Sequence, residues 1–185
     1  MKDKLTLRNV LICCAAVLAI LVFVFSFLTA LRVSSGNDWV EYRNIIWGCN
    51  GQRNSDGSAE IYAQADRLGA AALPLVGAIL TLVGGLAAVV VALVVKDEKI
   101  RKIVLFVCGG LLVLGGVFCF FGENGFYGAV AAKNNLTVEQ AKQLVTMNGN
   151  FKVSCGLPIV SGILAILGGG AVVASQFVPD KKLGK

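Results

Sequence analysis

The chain has 185 residues, 56% hydrophobic and 15% charged, with a mean hydropathy of +0.76; a soluble domain carries roughly 45–50% and 25%. Such a composition excludes a water-soluble globule. The net charge of +6 resides in basic residues beside hydrophobic runs rather than in a basic domain, which argues against nucleic acid, and the absence of histidine removes the commonest acid–base side chain and metal ligand.

The first apolar run, residues 10–31, follows Lys2, Lys4 and Arg8. It would rise about 33 Å as a helix, enough to span a bilayer core. It is longer than the apolar part of a signal peptide and lacks a small-x-small cleavage pattern before Arg32, so it reads as an uncleaved signal anchor. Cys13 and Cys14 lie near its start, a position open to palmitoylation in a eukaryotic cell, although such cysteines more often pack. Residues 38–47, D-W-V-E-Y-R-N-I-I-W, are rich in strand formers and bounded by turn residues, which predicts a strand or hairpin. Residues 58–68 read as a helix that Ser58 would cap.

Three further runs, residues 70–95, 103–121 and 156–178, are each close to spanning length. Pro74 is placed to kink the second, while Pro158 falls in the first turn of the fourth, where a missing donor costs little. Between the third and fourth, Thr137 and Gln140 have capping-box spacing, and Val138, Ala141, Leu144 and Val145 form the apolar stripe of a short helix. The fold class is therefore an all-α membrane protein: a single four-helix transmembrane bundle with a small structured extracellular cap, a short β-hairpin plus short helices. Residues 1–9, 96–102 and 179–185 carry ten basic against four acidic residues, whereas residues 32–69 and 122–155 carry seven of each. The excess places both termini and the 96–102 connection in the cytoplasm and the two longer loops outside, in a multi-pass protein of the plasma or cell membrane.

No charged residue lies inside these four runs, which weighs against an ion-coupled transporter; an isolated Ser or Thr there more often bonds its own helix. Small residues recur at helical spacing: Gly77, Gly84 and Gly85 in the second run, Gly109 and Gly116 in the third, Gly162 and Gly169 in the fourth. Such stripes let helices approach closely. Packing within the chain's own bundle is the favoured use, self-association or partner docking the other.

Of six cysteines, only Cys49 and Cys155 fall in the expected outer loops, where an oxidising compartment would let them pair; two free thiols, or competition from Cys119, are the alternatives. Asn135-Leu136-Thr137 matches a glycosylation sequon. Trp39 and Trp47 flank the expected strand and would either anchor at the interface or fill the cap's core. No residue pattern implies a metal, a cofactor or a catalytic group.

Trp39 followed by Trp47-Gly48-Cys49, Arg67 just before the second run, and Lys99 to Leu105, K-I-R-K-I-V-L, resemble the claudin and peripheral-myelin-protein group of four-helix membrane proteins. The resemblance implies a role in assembly or adhesion and makes Trp39, Trp47, Cys49 and Arg67 candidate fold or interaction residues of the outer loop. The chain departs from that group in having one cysteine in its first loop, and its tail ends Leu183-Gly184-Lys185. The reading that follows is a non-enzymatic protein that acts in the lipid bilayer through contacts with other membrane proteins, as scaffold, adhesion protein or accessory subunit. The alternative is a self-associated, channel-like pore.

Overall fold

The computed structural model describes residues 6–35, 38–43, 50–53, 69–146 and 152–178. In chain order the elements are α1 (Leu7–Phe25), β1 (Thr29–Ser35), β2 (Asp38–Arg43), β3 (Asn50–Arg53), α2 (Ala72–Val94), α3 (Glu98–Cys119), α4 (Gly122–Asn134), α5 (Val138–Thr146), β4 (Lys152–Ser154) and α6 (Gly156–Ala174). Four of these, α1, α2, α3 and α6, are long and apolar enough to cross a membrane. The chain forms two compact units, one from Met1–Phe23, Gly77–Val117 and Ser161–Lys185, the other from Val24–Val76 and Phe118–Val160.

The helical unit is held together by close approaches at glycine. A Cβ on Gly85 of α2 would collide with Ala19 of α1. A Cβ on Gly84 would stand 3.0 Å from the Cys108 carbonyl oxygen of α3, and one on Gly109 of α3 would stand 3.2 Å from the Gly169 carbonyl oxygen of α6. Gly168 of α6 closes the ring, facing the Ala15 carbonyl oxygen of α1 at 3.5 Å. Lipid offers no hydrophobic force to press helices together, so this direct backbone contact supplies the packing. The interior is filled by Ile12, Ala15, Ala19, Ala88, Leu105, Cys108, Leu112 and Val172, all buried.

Two helix ends depart from the sequence reading. α1 stops at Phe25, and Leu31, expected as the end of a spanning helix, lies in β1. Leu31 and Val33 are buried while Arg32 is exposed, the alternation of a strand with one covered face, so their apolarity serves the sheet. α3 begins at Glu98 rather than 103 because Asp97 Oδ1 accepts from the Lys99 and Ile100 amides at 2.9 and 3.1 Å, an N-cap that carries the helix through charged residues. Pro74 sits in the first turn of α2, where no amide is required, so it has no hydrogen bond to break.

In the second unit the expected hairpin is part of a four-stranded antiparallel sheet in the order β3-β2-β1-β4. Three strands come from one loop and β4 from the other. The segment 122–134, read from sequence only as part of the second outer loop, forms α4, which contacts both β1 and α5. It buries Phe126, Tyr127 and Val130 and ends on Asn135 at φ 53°, a left-handed position that Asn tolerates. α5 forms as expected: Thr137 accepts from the Gln140 amide at 3.2 Å and the Gln140 side chain accepts from the Thr137 amide at 2.9 Å. Its stripe is only half covered, with Ala141 and Val145 buried and Val138 and Leu144 exposed.

Candidate functional site

The sequence-derived residues fall into three groups. Trp47, Cys49, Arg67 and the expected 58–68 helix lie outside the described residues, while Trp39 is on β2, paired with Ser34 of β1. Gly84, Gly85, Gly109, Gly116 and Gly169 all face a neighbouring helix of the helical unit. Gly77 and Gly162 supply the carbonyl oxygens that Gly115 and Gly116 approach. Gly110 and Gly170, by contrast, meet nothing within 4 Å, and both are exposed.

The expected Cys49–Cys155 bridge is not made. Cys155 is a free, buried thiol, and Cys49, its expected partner, lies outside the described residues.

Cys155 belongs to a small titratable cluster. The Tyr127 hydroxyl donates to Glu123 Oε1 at 3.0 Å. Burial, and then the bond to Glu123 and its charge, raise the Tyr127 pKa above its ordinary value. Burial first and the Glu123 charge second push the Cys155 thiol up to about 12. These groups stay protonated at neutral pH, so the cluster offers neither a thiolate nucleophile nor a phenolate. Among the described residues no group of three His, Cys, Asp or Glu side chains is placed to hold a metal ion.

A polar relay inside the helical unit was not anticipated. Arg8, read as a flanking base, is buried in α1, and its Nη2 donates to Gln176 Oε1 at 2.9 Å. Gln176 Nε2 in turn donates to Ser175 Oγ at 2.6 Å, and Ser175 Oγ to the Val172 carbonyl at 2.6 Å. In sequence, Arg8 stands just before the first apolar run and Gln176 near the end of the last. Thr81 shows the local bonding expected of an isolated hydroxyl, donating to Gly77 O at 2.8 Å.

Two surface grooves lie among the described residues. In the helical unit, α1 and α2 part beyond their Gly85 contact to leave a groove of about 620 Å³ between residues such as Cys13, Val17, Val89 and Ala92. In the sheet unit, Gly125, Gly128, Ala129 and Ala132 of α4 and Ala72 and Leu73 of α2 line another of about 620 Å³, with Asn124 and Lys133 adding polarity. No protein-family model matches the chain, and no curated protein matches it.

Proposed function

We propose that this chain is a non-enzymatic, multi-pass integral membrane protein that acts through protein contacts, as a scaffold, adhesion protein or accessory subunit. The observation that carries the reading is the filled, glycine-sealed interior of the helical unit beside a second unit of sheet and short helices. Among the described residues the bundle's core is packed with buried side chains, and the second unit supplies structured surface. In this reading the sheet unit lies outside and both termini lie in the cytoplasm, as the charge asymmetry favours. The claudin-like layout belongs to the same proposal, supported by a sheet that draws strands from both loops.

A second reading has its own support. Gly110 of α3 and Gly170 of α6 face open space, so these surfaces are shaped for close approach by another helix. A pore between copies would use them, since the core of one copy is closed. Purifying tagged protein from its native membrane in mild detergent, and measuring particle mass together with co-purifying proteins, separates the two. A stoichiometric foreign partner supports the scaffold reading. A homo-oligomer of defined size supports the pore, and a lone monomer refutes both.

A further inference from the structure

The groove between α1 and α2 has one polar end. Asn9 lies there on α1 and Leu93 on α2, and exposed Lys96 follows Leu93 by three residues, just past the end of α2. From Asn9 to Leu18 the groove follows α1 for about 13 Å, close to the roughly 15 Å depth of one leaflet. Its wall is otherwise apolar, with the small Cys13, Cys14 and Ala92 making the concavity that Val17, Leu18 and Val89 flank. Basic residues dominate the adjoining connection: Lys96, Lys99, Arg101 and Lys102 stand against Asp97 and Glu98. Asp97 is occupied in capping α3 and Glu98 pairs with Lys102 at 3.3 Å.

We propose that this groove is a lipid site, holding one acyl chain of an anionic phospholipid from the leaflet nearest Lys96, with the phosphate headgroup beside Lys96 and Asn9. This rests on the membrane-protein reading above. The length selects an acyl chain of a single leaflet, the apolar wall accepts it without an unpaired polar group, and the basic rim favours a negative headgroup by about fivefold per basic residue.

The test uses full-length protein in nanodiscs of equal phosphatidylglycerol and phosphatidylcholine, released for native mass spectrometry. The expected result is one retained phosphatidylglycerol per chain, in about fivefold preference over phosphatidylcholine. Lys96→Glu should remove that preference while leaving a lipid bound. Ala92→Phe and Cys13→Phe, which fill the groove from opposite walls, should each abolish retention, and Leu167→Phe, exposed on α6, should not. No retained lipid in the wild type, or retention unchanged in both filled variants, overturns the site. An acyl mass that survives denaturation and is released by hydroxylamine also overturns it, in favour of a thioester on Cys13 or Cys14. Failure to partition with the bilayer after carbonate washing refutes the membrane reading itself, a separate outcome.

Discussion

Gly115 and Gly110 lie on the same helix and should respond to alanine in opposite directions. A Cβ on Gly115 would collide with Thr81 Oγ1, would stand 2.7 Å from the Gly77 carbonyl oxygen and 3.0 Å from the Thr81 amide nitrogen. Thr81 has no room to yield, being fully buried with its hydroxyl held on Gly77 O at 2.8 Å. Ordinary contact begins near 3.4 Å, so α2 and α3 must part by about 0.7 Å at this level, enough to forfeit a quarter to a half of the local dispersion contacts. Overpacking of this kind costs about 1–3 kcal/mol, and the gain from replacing a mid-helix glycine offsets about 0.5–1 kcal/mol, leaving Gly115→Ala about 1–2 kcal/mol less stable. Gly110→Ala has only the gain, because its Cβ meets nothing within 4 Å. Reversible unfolding in mixed micelles, followed by circular dichroism as the denaturing detergent fraction rises, reads both variants. If Gly115→Ala is as stable as the wild type, or the two variants shift together, the glycine-sealed seam is refuted.

Gln176→Leu removes one acceptor from the buried Arg8 guanidinium and should cost about 1.5–3 kcal/mol in the same unfolding assay; an unchanged midpoint would show the relay to be idle. Thr137→Ala deletes one half of the capping box and should weaken α5 by about 1 kcal/mol, seen as faster amide exchange over residues 138–146 with the spanning helices unaffected. The Cys155 thiol, ordinarily near 9.0 and raised to about 12, should be alkylated more than about tenfold more slowly at pH 8 in the folded protein than after unfolding. Because the unfolded chain releases this proton first, its contribution lowers stability as pH climbs from 9.0 toward about 12 and is neutral below that window. Glu123→Gln removes the charge but not the burial, so it should bring the Cys155 midpoint only part of the way back; no movement on a labelling-rate profile would remove Glu123 as a cause.

Periodicity and length revealed the elements whose signals are local in sequence. The four long helices are read from the length of their apolar runs, and α5 from its capping box. What escaped was decided by partners distant in the chain. Leu31 looks like the end of a hydrophobic helix until β2 and β4 are known to flank it. The 122–134 segment is interrupted by Gly122, Gly125 and Gly128, and it is helical with Phe126 and Val130, four residues apart, both buried. Val153 gives β4 only a three-residue strand, too short to read without its pairing to Val33. Small-residue spacing marked the bundle's seams but did not separate Gly109, against Gly169, from its outward neighbour Gly110.

The two units obey opposite burial rules. Within the most apolar windows of the four long helices only 33–39% of residues are buried, and the surface left open is aliphatic: Leu93 is 69% exposed, Val90 and Val107 57%. A water-facing protein rarely shows a contiguous apolar patch above a few hundred Å², so this surface needs hydrocarbon around it. In α4, by contrast, Phe126 and Tyr127 are buried while Glu123 and Lys133 are exposed, the order expected where water is the solvent. Arg8 and Lys96 belong to the unit whose open surface is aliphatic, and Glu123, Lys133, Glu139 and Lys142 to the unit whose α4 keeps its charges exposed. A reporter fused after residue 178 and another inserted at Asn135 should lie on opposite sides of the membrane, with α6 as the one crossing between them; finding both on one side would mean that α6 does not cross and would undo the four-span topology on which the contact-surface reading stands.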